Sequence, residues 1–242
     1  MRCYLLSAAV AALVLLPAAG AAQIEIKNPY GSSGKGKVYG LDVTRYDNLV
    51  FVVDFSGSME SETGGMTERT VASEAESKLG GLIGGRAGGK LQDEMAKRRK
   101  KIEEAKREVA GAVEGLGEEQ HFGIVYFEDT PHLWKDELVL AEEDVRKAAS
   151  KFIKKAQGGG GTGIRQAMEL AFSLEPETIV LVTDGEPTDA SPEEILQRIS
   201  ELNPDGAVVV HAVGVGEDHD RDFMSDVAEQ NGGEYLTRGA GI

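Results

Sequence analysis

The stretch VFVVDFSGSME (50–60) joins an apolar run to three oxygen-bearing side chains at alternate positions, Asp54, Ser56 and Ser58. With the residues before it, the run reads NLVFVV, apolar without alternation. That pattern suits a strand whose two pleat faces both meet apolar neighbours. Three runs of the same kind follow, HFGIVYF (121–127), TIVLVT (178–183) and AVVVHAVGV (207–215), and a weaker one, GEYLT, lies near the end. Between them the period changes. KIEEAKREVAGAVEGL (101–116) places Ile102, Ala105, Val109, Ala112, Val113 and Leu116 on one helical stripe. EEDVRKAASKFIKKA, GIRQAMELAFSL, SPEEILQRISEL and RDFMSDVAEQN behave alike. Ser191, Pro192 and Glu194 supply a capping hydroxyl, a proline at the first helical position and an acid in the first turn. Gly232 and Gly233 end the last helix. Strands alternating with helices predict an α/β fold: a three-layer, doubly wound, mostly parallel sheet of Rossmann-like type with helices on both faces. HLWKDELVLA (132–141) interrupts the alternation and is expected to form one antiparallel edge strand.

The rest of the chain frames this domain, which is expected over 45–242. Residues 1–22 read as a signal peptide: Arg2, the apolar YLLSAAVAALVLL, then Pro17 and the small residues AAGAA. This predicts a secreted or periplasmic protein. The competing reading is an uncleaved anchor, because no charge occurs between Cys3 and Ala22 and that stretch is long enough to span a bilayer; membrane attachment is expected only in that case. Cys3 is the only cysteine, so the exported chain would carry no disulfide. Residues 23–44 read as a mobile, glycine-rich lead-in with one short edge strand. At 60–96 the domain is interrupted by an insertion rich in Gly, Ser and Glu that contains LGGLIGGRAGG. Glycines at 80, 84 and 88 fit a packed glycine face, but each costs a helix about 1 kcal/mol, which favours a flexible loop. The basic run KRRKK (97–101) reads as solvated surface. A net charge of -15 opposes a nucleic-acid function, which needs a basic face to replace counterions.

In a parallel sheet flanked by helices, ligands sit beyond the carboxyl ends of the strands. Three features converge there: Asp54, Ser56 and Ser58 after the first strand, Asp184 followed by Gly185 after TIVLVT, and Thr162 in GGGGTGI. All are oxygen donors, which suit Mg²⁺, Mn²⁺ or Ca²⁺ rather than zinc or copper. GGGGTG also fits GxGxxG at 158, 160 and 163, but a dinucleotide fold needs that motif directly after its first strand, and here it follows a lysine-rich helix. No nucleotide is therefore expected. Glu186 and Asp189 in DGEPTD read as turn and cap residues. The histidines at 121, 132, 211 and 219 do not cluster, and His211 reads as a hydrogen-bonded core residue. Phe55 is expected to pack inward, and Trp134 is a candidate partner contact.

These separated motifs resemble the von Willebrand factor type A domain, the integrin I-domain fold, with a complete metal-ion-dependent adhesion site. The DxSxS motif stands as Asp54-Phe55-Ser56-Gly57-Ser58, the family's threonine falls on Thr162 and its second aspartate on Asp184 in TDGEPTD. The resemblance covers roughly 45 to 238. The insertion at 60–96 departs from the pattern and bears on whether the rim of the site is open, and Gly163 leaves that rim short of a side chain. The resemblance implies that Ser56, Ser58 and Thr162 bind a divalent cation through hydroxyls, with Asp54 and Asp184 acting mainly through waters or one of them directly. Neutral hydroxyls do not quench the ion's charge, and acids behind them orient waters and hydroxyls. The open position would take a Glu or Asp carboxylate from a protein partner. The expected function is thus an exported, non-enzymatic, metal-dependent binding module. Two alternatives stay open. One is a Mg²⁺-dependent phosphoryl-transfer or hydrolytic enzyme using Asp54 as nucleophile, although no second acid lies two residues on and no lysine or histidine has an evident catalytic setting. The other is a structural module braced by its metal.

Overall fold

A computed structural model describes residues 33–61, 100–216 and 219–238. The signal segment, the start of the lead-in, nearly all of the insertion and most of the basic run lie outside the described residues. The elements in chain order are β1 (Lys37–Val38), β2 (Leu41–Asp42), β3 (Asn48–Asp54), a 3₁₀ turn (Gly57–Glu60), α1 (Lys101–Glu114), β4 (His121–Phe127), β5 (Pro131–Leu133), β6 (Val139–Leu140), α2 (Glu143–Lys155), α3 (Ile164–Phe172), β7 (Thr178–Thr183), α4 (Pro192–Leu202), β8 (Val209–Val215), α5 (Arg221–Gln230) and β9 (Tyr235–Arg238).

The four apolar runs become the four inner strands of one sheet, ordered β5-β4-β3-β7-β8-β9, with β6 also paired to β4. Every pairing from β4 through β9 along this path is parallel, as βαβ crossovers require. Side chains alternate across the sheet. Phe51, Val53, Ile124, Val180, Val182 and Val213 face α1 and α2, packing with Ile102, Val109 and Ile153. Val52, Val125, Ile179, Leu181 and Ala212 face α3, α4 and α5, packing with Met168, Ile195 and Phe223. Both faces are covered, which is why these strands are apolar without alternation. The start of α4 is the capping box legible in the sequence: Ser191 Oγ accepts from the Glu194 amide at 3.3 Å, and Glu194 Oε2 accepts from the Ser191 amide at 2.9 Å.

Two segments differ from the sequence expectation. The single edge strand over 132–141 is broken into β5 and β6, antiparallel to opposite ends of β4. After β5 the half-buried Trp134 stacks on Phe122 with ring centroids 5.3 Å apart and packs against the core. Residues 33–44 of the lead-in form no edge strand of the main sheet. β1 and β2 make a separate antiparallel ribbon that buries Val38, Leu41 and Val43. The buried Glu108 of α1 holds this ribbon by accepting from the Ser33 and Tyr39 amides at 2.7 and 2.8 Å.

Either side of the insertion the chain is tied together. The Lys101 amide donates to the Ser61 carbonyl at 2.9 Å, and the Lys100 ammonium pairs with Glu60. The 3₁₀ turn after β3 therefore abuts the first turn of α1.

Candidate metal centre

The parallel order places the ends of β3 and β7 side by side and brings three loops to one edge. The Phe55 amide donates to the Phe127 carbonyl at 2.7 Å, turning the chain out of β3, and Phe55 packs inward, stacked on Tyr126 at 5.3 Å. The Gly57 amide donates to Gly160 and the Gly159 amide to Phe55, at 3.1 and 2.9 Å, joining the DxSxS loop to the glycine loop. Thr162 and Thr188 exchange bonds at 2.8 and 2.9 Å, joining the glycine loop to the loop after β7.

Within this frame the five sequence-predicted residues converge. Ser56 and Ser58 hydroxyl oxygens lie 3.0 Å apart, and Ser58 Oγ donates to Asp184 Oδ1 at 2.7 Å. Asp54 Oδ1 accepts from the Ser56 amide at 2.6 Å, and its other oxygen accepts from the Thr183 hydroxyl. Thr162 joins them across Gly185: a β-carbon on that glycine would lie 3.4 Å from both Ser58 Oγ and Thr162 Oγ1. Both hydroxyls thus border Gly185, where a side chain would begin in contact with each of them.

The two acids are buried behind the hydroxyls. Burial pushes the Asp54 carboxyl up to about 6, against the lowering effect of its bonds to Ser56 and Thr183, and the Asp184 charge pushes the same way as burial. Such a carboxylate is short of positive charge. Among the described residues, no three His, Cys, Asp or Glu side chains cluster closely enough to hold a metal by themselves. The donor set that fits a hard cation is mixed, three hydroxyls and two carboxylates, and its oxygens-only chemistry matches Mg²⁺, Mn²⁺ or Ca²⁺. With Ser58 giving its proton to Asp184, its remaining lone pair is free for an ion.

Three neighbouring residues went unread in the sequence. Thr183 had a signal, a hydroxyl at the end of a buried apolar strand. Thr188, in DGEPTD, had none beyond a turn. Lys101 matters most: its ammonium donates to Asp184 Oδ2 at 2.7 Å, with the two side chains 3% and 0% exposed. The only sequence hint was a lysine at the start of a helix, where the macrodipole disfavours a cation.

Other readings resolve locally. Gly163 serves close approach: a β-carbon there would meet the Asp129 and Glu128 carbonyls at 2.9 and 3.0 Å. The Gly161 amide donates to Asp129 Oδ1 at 2.6 Å, so a carboxylate already occupies that donor of the GxGxxG-like loop. Asp189 accepts from the Arg165 and Gln166 amides at the start of α3, as a cap does. His211 is buried between the Tyr46 hydroxyl (2.7 Å) and the Glu234 amide (3.0 Å), and burial holds its pKa below the usual value.

A family model described as von Willebrand factor type A domain matches residues 93–237. The human inter-alpha-trypsin inhibitor heavy chain H2 is 28% identical over 136 residues, which are 50% of this chain and 14% of that protein. The human von Willebrand factor A domain-containing protein 3A is 30% identical over 118 residues, 47% of this chain and 10% of that protein. The chain therefore spans a small part of the curated relatives it matches. Among solved structures, the conserved hypothetical protein BatB from Bacteroides thetaiotaomicron superposes with a TM-score of 0.53 at 14% identity, covering 80% of this chain and 90% of that one. A von Willebrand factor type A protein from Catenulispora acidiphila gives 0.53 at 19% identity, covering 79% and 38%. At these identities the structures speak to fold alone.

Proposed function

The chain belongs to the von Willebrand factor type A domain family, and from that premise we propose that it is an exported module which binds a divalent cation, Mg²⁺ or else Mn²⁺ or Ca²⁺, and through it a Glu or Asp carboxylate of a protein partner. The observation that carries this reading is the convergence of the Ser56, Ser58 and Thr162 hydroxyls beside Gly185, with Asp184 accepting from Ser58 and Asp54 accepting from the Ser56 amide. Ser56, Ser58 and Thr162 would hold the ion, while Asp54 and Asp184 orient hydroxyls and waters around it. A cation held this way supplies Lewis acidity toward an incoming carboxylate. Export rests on the sequence of residues 1–22.

Asp54 as an enzymatic nucleophile is the weaker reading. Its side chain is fully buried and both oxygens already accept hydrogen bonds. A nucleophile needs an approach path, which a fully buried carboxylate does not offer.

The test is thermal unfolding of the metal-stripped protein during titration with each ion. A saturable rise is expected, about 2.7 kcal/mol at 100 times Kd, and its loss in Asp184→Ala. No rise with any ion overturns cation binding. For the second half of the reading, acidic peptides are captured with and without EDTA. Capture that survives both EDTA and Asp54→Ala overturns it.

A further inference from the structure

Lys101 opens α1 with its charge buried. Its ammonium has Asp184 Oδ2 at 2.7 Å, and its chain runs against the end of β8, where a β-carbon on Gly216 would meet Lys101 Cε at 2.6 Å and Nζ at 2.9 Å. Glycine at 216 therefore leaves the slot in which the ammonium sits. The placement is costly in two ways: the charge is desolvated, and it stands at the positive end of a helix. Asp184 is what compensates, and its other oxygen receives the Ser58 hydroxyl. The path ammonium, carboxylate, hydroxyl thus runs from α1 into the DxSxS loop. With Lys101 present, the two carboxylates of the site leave one net negative charge rather than two.

We propose that Lys101 is a resident cation of this site that sets its affinity: it holds Asp184 and Ser58 in place without a divalent ion, and by lowering the site's negative charge it weakens the ion's own binding. This rests on the cation-binding reading above. A partner's carboxylate restores the missing negative charge, so ion and partner bind together more tightly than the ion alone.

The test compares the full-length protein with Lys101→Gln, which keeps a donor for Asp184 without the charge, and with Lys101→Met, which removes both. Mg²⁺ affinity is measured calorimetrically, and thermal unfolding is recorded in EDTA and in saturating Mg²⁺. The expected result is that both variants bind Mg²⁺ at least about tenfold tighter than the parent, because a nearby like charge has been removed. Both are also expected to unfold at lower temperature in EDTA and to recover most of that loss in Mg²⁺, Lys101→Met showing the larger swing. Equal or weaker Mg²⁺ binding by both variants overturns the proposal. So does a loss of stability that Mg²⁺ does not restore, since Lys101 would then be a packing residue only. If neither parent nor variants bind Mg²⁺, Mn²⁺ or Ca²⁺, the cation-binding reading itself falls, a result distinct from binding with unchanged affinity.

Discussion

Ser58 donates its hydroxyl proton to Asp184 across 2.7 Å, joining residues 126 positions apart in the chain and two loops at one edge of the sheet. This bond commits the hydroxyl proton of Ser58 to Asp184 and leaves its oxygen as a neutral donor toward an ion. It also makes Asp184 the hinge between Ser58 and Lys101.

Asp184→Asn and Ser58→Ala should separate these roles. Asp184→Asn leaves the buried Lys101 ammonium without a counter-charge and is expected to cost about 3–5 kcal/mol in EDTA. Ser58→Ala removes the hydrogen bonds to Asp184 and Ser56 at an exposed residue and should cost about 1 kcal/mol. Both should abolish the Mg²⁺-dependent stabilisation. Urea unfolding with and without Mg²⁺ measures both effects; equal losses in EDTA would contradict the buried ion pair.

Asp54→Asn should behave in the opposite way without metal. The folded state raises the Asp54 pKa from 3.8 to about 6, so it favours the protonated carboxyl. That preference acts fully below 3.8 and is lost as pH rises through 6. At pH 7.5 in EDTA the neutral amide should therefore be more stable than the parent, by on the order of 2 kcal/mol, with the difference closing near pH 4. The variant should gain nothing from Mg²⁺. A variant less stable than the parent at pH 7.5 in EDTA would contradict this.

Gly185→Ala probes the approach between the two hydroxyls directly. Its methyl would make ordinary contacts of 3.4 Å with Ser58 Oγ and Thr162 Oγ1. The fold in EDTA should change by less than about 1 kcal/mol, while cation binding is lost because the methyl stands between two donors. Calorimetric Mg²⁺ titration decides it: parent-like affinity would place the ion elsewhere.

His211 should give a second, acid-side pH dependence. Its Nδ1 accepts from the Glu234 amide, so protonation there sets N–H against N–H, and burial already lowers its pKa. A depressed histidine stabilises the fold above its unfolded pKa of about 6.5 and loses that contribution as pH falls through the folded value. His219, held between the Gly216 carbonyl and the Tyr235 hydroxyl, has the same sign. His211→Gln should be less stable than the parent at pH 7.5 by about 1–3 kcal/mol, with a shallower fall toward pH 5.5. Urea midpoints across that range measure the slope, and an unchanged slope would remove His211 as a contributor.

Much of the architecture was legible in the residues alone. Continuous apolar runs fixed strands covered on both faces, the three-to-four stripe fixed the helices, and Ser191 with Glu194 marked a helix start to the residue. These are local patterns, and local sterics and burial write them into short windows. Asp54, Ser56 and Ser58 were legible for the same reason, being period two at a strand end, and Asp184 and Thr162 because the ends of parallel strands and their loops share one edge. The tertiary structure alone decided which far residues meet there. No periodicity announces that Lys101 reaches Asp184, 83 positions on, or that Glu108 pins the ribbon at residues 33–44, because a buried charge finds its partner through the strand order and not through its neighbours in sequence. The break in the edge strand was not legible either: the Trp134 amide still donates to the Ile124 carbonyl of β4 and its ring stacks on Phe122, and pairing resumes only at Val139.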